Sequence, residues 1–263
     1  MTGPPGFDEA FLDVPVPVPT SASPLTRLDY VHFSVGLDRE RRLAAWTAVT
    51  IDGAALVDVP RSNGWFLDPR LPAEQQVGPE VYAGNDLDRG HLVRRQDPVW
   101  GEAADRAEAD TFAYPNAAPQ ASGFNQSKEL WLGLEDYVLG TADAADVRLS
   151  VVTGCVFDDA DPVCRWVALP LRFYKVAAWC VAGVLRSSGY VLDQTPLLDD
   201  VGRTQPGEPL LGPYRTFQVP VADVAGLTGL ELGPLPDADV AAASGLAPGS
   251  AWRELASPRD LLW

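Results

Sequence analysis

At 263 residues, with 46% apolar and 21% charged side chains, the chain has ordinary globular composition, which excludes wholesale disorder and provides enough apolar surface for one core. A formal net charge of −16 excludes a protein that grips a polyanion through its overall field. Chemistry at a local arginine cluster escapes that exclusion, because distant charges are screened beyond about 8–10 Å.

No stretch approaches the apolar length that a membrane helix needs, and no basic segment precedes an apolar one ahead of Arg27, the first cation. With no export signal visible, cytoplasmic residence is the expectation. Cys155, Cys164 and Cys180 lack a CxxC spacing and sit among apolar residues, as buried thiols do; a Cys155–Cys164 bridge stays open for an exported protein.

Along the chain, residues 1–24 carry six prolines and no helix or strand period, so they read as an extended arm ahead of a single domain over 25–263. Tyr30–Val35 and Trp46–Ile51 are rich in β-branched and aromatic residues, which predicts paired strands, and Asp52-Gly53 marks a turn. Residues 60–85 are punctuated by Pro and Gly too often for regular structure and predict a long surface loop. Leu130, Trp131, Leu134 and Val138 recur on one helical face, predicting a helix over about 125–139 that stops at Gly140. Leu149–Thr153, Trp166–Leu169 and Tyr174–Leu185 read as buried strands around the acidic turn Asp158–Pro162. The short apolar segments after Val219 predict a helix or two over the core. Strands then dominate around one long helix, which is an α+β pattern.

The most specific stretch is Asn85-Asp86-Leu87-Asp88-Arg89-Gly90-His91-Leu92, which contains one of only two histidines. Taken alone, a histidine beside an arginine is more often structural than catalytic. Downstream stand Asn116 in Pro115-Asn116-Ala117-Ala118-Pro119-Gln120, Asn125 in Phe124-Asn125-Gln126, and Glu135 in Trp131-Leu132-Gly133-Leu134-Glu135. Singly these read as a turn residue, an N-cap and a solvated helix face.

Together, and in this order, DRGH at 88–91, NAAPQ at 116–120, FNQ at 124–126 and WLGLE at 131–135 resemble the DNA/RNA non-specific endonuclease family. YVHFSV at 30–35, LDPRLP at 67–72, TGCVF at 153–157 and FYKV at 173–176 add flanking support. The resemblance implies a ββα-metal (His-Me finger) fold with a central, mostly antiparallel sheet flanked by helices and the metal-site helix at about 125–139. It also implies magnesium-dependent hydrolysis of DNA and RNA phosphodiesters to 5′-phosphate and 3′-hydroxyl products, with manganese as a substitute ion. His91 would be the general base and Asn125 the one direct ligand of a largely hydrated ion. Glu135 would hold the ion's waters, Asn116 would contact His91 or the scissile phosphate, and Arg89 would place a permanent charge beside the non-bridging oxygens. Asp88 would orient the loop, and Gly90 would permit a tight backbone.

The sequence departs from the family pattern in three places. Gly64 and Phe66 stand where cations are expected, so only Arg61 or Arg70 could substitute, with Arg94 and Arg95 as further substrate-binding candidates. Leu139 replaces an arginine, and the gap from Asn125 to Trp131 is two residues longer than the family pattern has. From another functional class, the competing reading is a catalytically weakened nuclease-like protein that binds nucleic acid or a protein partner. An active enzyme in its own cytoplasm implies restraint, for instance by an inhibitor or regulatory protein, and similar nucleases form homodimers.

Overall fold

Side chains alternate between the two faces of a strand, so a sheet covered on both faces collects two cores. A computed structural model of the chain, describing residues 6–121, 147–195, 215–255 and 260, has this architecture. Besides four two-residue strands that pair off the main sheet, the strands among the described residues are β1 (Thr26–Tyr30), β2 (Phe33–Asp38), β3 (Leu43–Asp52), β4 (Leu87–His91), β5 (Ala117–Ala121), β6 (Arg148–Val156), β7 (Arg172–Val181), β8 (Val184–Asp193), β9 (Arg215–Val219) and β10 (Arg253–Glu254). Eight of them form one sheet in the order β10-β9-β8-β7-β6-β3-β2-β1, antiparallel at every junction, while β4 and β5 pair separately. The fold is α+β, with a central antiparallel sheet and few helices.

Along β7, Phe173 and Ala177 enter one core and Tyr174, Val176 and Ala178 enter the other. The first core is closed by Leu71, Val77, Val81, Tyr82, Leu92 and Tyr114, all from the segment between β3 and β6 that carries the DRGH run. The second is closed by Phe7, Phe11, Leu12 and Val16, and by the C-terminal helix Val221–Thr228 with Leu230, Leu232 and Leu235. The proline-rich arm therefore lies on the domain and helps to close it.

Three strand expectations are corrected. The run Tyr30–Val35 is two strands, because the chain reverses at Val31-His32 with His32 at φ 65°. Tyr174–Leu185 is likewise two, reversing at Ala182-Gly183, where both residues have positive φ (50° and 79°). Trp166–Leu169 is not a strand of the central sheet: Val163–Cys164 pairs with Val167–Ala168 in a separate small hairpin, with Arg165 and Trp166 at the turn. The cysteines are free thiols, with Cys155 buried and Cys164 and Cys180 half-buried. The helix expected at 125–139 lies outside the described residues.

Candidate active site

β4 and β5 place the DRGH run in register with the NAAPQ run, His91 opposite Ala117 and Asp88 opposite Gln120. Leu87, Arg89 and His91 share one face of β4 by the two-residue period, and all three line one cleft with Arg61, Trp65, Tyr82, Asn85 and Asp88. Gly90 is not in the left-handed region, contrary to the expectation of a special backbone. Its contribution is space: a Cβ there would lie 2.0 Å from the side chain of Gln120, which is 2% exposed.

Asn116, expected at His91 or the phosphate, is fully buried and committed elsewhere. Its Oδ1 accepts from the Val93 N–H (2.8 Å), and its Nδ2 donates to the carbonyls of Val93 (3.0 Å) and Thr111 (2.9 Å). The Asn116 carbonyl also accepts from the Leu92 N–H at 2.9 Å. Asn116 thus fixes the two residues that follow His91, and fixes His91 through them.

The imidazole of His91 packs between rings, 4.8 Å from Trp65 and 5.1 Å from Phe112, centroid to centroid. The Arg89 guanidinium carbon lies 5.3 Å from the Trp65 ring centroid, and that of Arg61 lies 5.7 Å from Phe112, so two cations are held against the aromatic walls of the site. Burial first, and then the positive charges of Arg61, Arg95 and Arg89, push the His91 pKa down to about 3. The ring is therefore neutral near pH 7, with an unprotonated lone pair. Its Nε2 is buried with no hydrogen-bond partner among the described residues, an arrangement that is costly unless a ligand completes it.

The loop bearing Arg61 and Trp65 is tied down by Glu108, a 2% exposed carboxylate on the helix Ala104–Asp110. It accepts from the Ser62 hydroxyl at 2.7 Å and from the Ser62 N–H at 3.1 Å, and it pairs with Arg95 at 3.4 Å. Glu108, Trp65 and Phe112 are site residues that sequence reasoning missed. The helix reads Ala-Asp-Arg-Ala-Glu-Ala-Asp, a pattern of solvated charge that conceals one buried acid.

Of the remaining candidates, Arg61, Asp88 and Arg89 line the His91 cleft and Arg95 acts on it through Glu108 and charge. Arg94 is half-buried and does not line the cleft. Arg70 lies outside it: its Nε and Nη2 donate to the buried Asp68 (2.9 and 2.6 Å), its Nη1 donates to the Asp29 carbonyl, and Tyr30 also donates to Asp68. Arg70 is thus engaged by Asp68 and Asp29, and of the two arginines Arg61 is the one that lines the cleft. Asn125 and Glu135 lie outside the described residues.

An antiparallel β4–β5 pair carrying a neutral histidine beside arginines, set on an antiparallel sheet, is the arrangement of a ββα-metal protein. The chain belongs to the DNA/RNA non-specific endonuclease family, whose pattern it matches over residues 15–239. It is 40% identical over 253 residues to the uncharacterized protein y4fB of Sinorhizobium fredii (strain NBRC 101917 / NGR234), covering 86% of this chain and 38% of that protein. It is 26% identical over 222 residues to a nuclease of Nostoc sp. (strain PCC 7120 / SAG 25.82 / UTEX 2576), covering 81% and 77%. With mitochondrial endonuclease G of Homo sapiens it shares 27% over 162 residues, covering 57% and 49%, so it spans less than half of that protein and of y4fB. The crystal structure of an EndoG/EndoGI complex has the same fold, at a TM-score of 0.59 with 21% identity over 78% of this chain and 84% of that one.

Proposed function

We propose that this chain is a metal-dependent endonuclease that hydrolyses phosphodiester bonds of DNA and RNA, with His91 as general base. The observation that carries this is a neutral imidazole whose buried Nε2 has no hydrogen-bond partner among the described residues, set beside three arginines. A base needs a free lone pair; a phosphodiester needs cations at its non-bridging oxygens. His91 supplies the first by taking a proton from the attacking water at Nε2. Arg61 and Arg89, fixed against Phe112 and Trp65, supply the second.

A bound magnesium ion would add charge at the scissile phosphate, with Asn125 as its ligand, Glu135 as holder of its waters and manganese as a substitute. The ion would rest on Asn125 and Glu135, since among the described residues no cluster of His, Cys, Asp and Glu could hold one; the described part contributes the neutral imidazole, whose orphaned nitrogen can receive a water proton. Products carrying a 5′-phosphate and a 3′-hydroxyl belong to the same proposal.

Cleavage of supercoiled plasmid and of total RNA, with magnesium, manganese or chelator, tests it alongside His91→Ala. Metal-dependent nicking that is lost in the variant is expected. A folded protein that cleaves nothing under any condition overturns the enzyme in favour of a nuclease-like binding protein, the reading that the net charge of −16 favours.

Cytoplasmic residence, homodimerisation and restraint by a protein inhibitor are further parts of the proposal. EndoG, which shares this fold, was captured with EndoGI in a structure concerned with EndoG inhibition. Inducible expression of wild type and His91→Ala in cells lacking an inhibitor checks the restraint. Equal growth of both strains with demonstrably active enzyme would remove the need for it.

A further inference from the structure

The indole of Trp166 is 87% exposed, and Val163, on the same small hairpin, is 73% exposed. Burying a Trp side chain is worth several kcal/mol, so an open indole at a turn tip is unusual. The turn is also strained: Arg165 at φ 48° and Trp166 at φ 66° are consecutive non-glycine residues in the left-handed region, which persists only where surroundings enforce it.

Two arginines enforce it. Arg42 donates to the Trp166 carbonyl at 2.9 Å, and Arg165 donates to the Glu80 carbonyl. Glu80 belongs to the short helix Pro79–Tyr82, and Tyr82 lines the His91 cleft. The hairpin also roots on the catalytic side of the sheet, since Val167 and Leu169 enter the first core. Of the acids on the turn before the hairpin, Asp159 pairs with Arg41 at 3.2 Å and Asp158 with Arg172 at 3.3 Å.

We propose that the Arg165–Trp166 turn is an accessory subsite on which an unpaired base of the substrate strand stacks, with Arg42 and Arg165 beside its phosphates. An aromatic face flanked by guanidinium groups is the chemistry that single strands select, because every base has a π-face and duplex bases are already stacked. The tether through Glu80 joins the turn to the short helix whose Tyr82 lines the cleft, so in this proposal the strand bound at His91 extends to Trp166. The subsite gives the enzyme a preference for single-stranded DNA, RNA or locally melted duplex. This inference rests on the nuclease reading above.

The test uses a His91→Ala background, so that nothing is cleaved, and measures anisotropy of a labelled oligothymidylate and of a duplex of equal length. Adding Trp166→Ala is expected to weaken oligothymidylate binding roughly 5- to 150-fold, the range of one base–aromatic stack, with little change for duplex. Trp166→Phe should restore most of the loss, and an unchanged melting temperature confirms an intact fold. Equal affinity with and without the indole overturns the subsite while leaving the nuclease intact, as does an equal loss for both substrates. If Trp166→Ala instead changes the sedimentation of the free protein, the indole belongs to an interface between two copies and the subsite is wrong. If wild type neither binds nor cleaves any nucleic acid, the nuclease reading fails and the subsite with it.

Discussion

Ser62 donates both its hydroxyl, at 2.7 Å, and its backbone N–H, at 3.1 Å, to the buried carboxylate of Glu108. This clasp sets the position of the loop that brings Arg61 and Trp65 to His91. Glu108→Ala leaves the Ser62 N–H and Arg95 without their partner and is expected to cost about 1.5–3 kcal/mol of stability. At a temperature where the variant is folded, kcat should fall about 10²-fold, the scale of a misplacement near 1 Å. Glu108→Gln keeps an acceptor and should recover part of both. Denaturant titration and plasmid nicking check the pair; unchanged nicking by a folded Glu108→Ala would refute the positioning role.

His91 also makes stability depend on pH, with a definite sign. Its folded pKa of about 3 lies below the ordinary 6.5, so the unfolded chain binds the proton more tightly. The contribution is fully present above about pH 6.5 and is lost as pH falls toward 3, at up to about 1.4 kcal/mol per pH unit. His91→Asn should flatten the acid limb of a melting-temperature profile. Arg61→Gln removes one of the depressing charges, so it should shift that limb and raise the His91 pKa read by NMR. An identical acid limb in His91→Asn would show that His91 titrates normally.

Arg61 and Arg70 are close in sequence and opposite in use. Arg61→Ala should lower kcat by about 10²–10³-fold, as expected for one transition-state donor, with a small change in stability. Arg70→Ala should leave activity close to wild type at low temperature and cost about 1–3 kcal/mol, because Asp68 keeps Tyr30 and loses its cation. Kinetics and denaturation of both variants would separate the roles. The assignment fails if Arg70→Ala loses activity without losing stability.

Asn116→Asp separates a clamp from a site residue. Nδ2 donates to two carbonyls, and a carboxylate in its place would face both with oxygen. The variant should lose about 3–5 kcal/mol, as an unpaired buried charge does, and partly recover at acid pH when the carboxyl becomes a donor. A fully stable Asn116→Asp would mean that the amide is not used as these hydrogen bonds indicate.

The chemistry of the cleft was legible where it is local. Asp88-Arg89-Gly90-His91 is a continuous stretch, and its pairing with 117–121 keeps both motifs in view of each other. What escaped is tertiary. Glu108 looks like any helix-surface acid until the Ser62 loop folds over it, and Arg70 looks free for substrate until Asp68 is seen two residues away with its carboxylate buried. Turns without glycine or asparagine escaped as well: Val31-His32 and Arg165-Trp166 carry residues that favour strands, so the reversals depend on contacts such as the one from Arg42. Gly183 was the available signal at the β7–β8 reversal, where apolar residues on both sides masked it.

The central strands β3 and β6 are adjacent in the sheet, Thr47 facing Thr153, yet the chain from 53 to 147, which carries the His91 cleft, leaves the one and returns to the other. Such a closure costs entropy that rises only slowly with the length of chain spanned, but that entropy is lost before the non-local β3–β6 contacts form, which makes the pairing slow. The hairpins β2–β3 and β7–β8 can form locally, whereas joining the two halves must wait for the intervening segment to collapse onto the first core. Refolding should then be limited by one late step that completes the sheet and the cleft together, so partly folded chains pass through the cell without a formed active site.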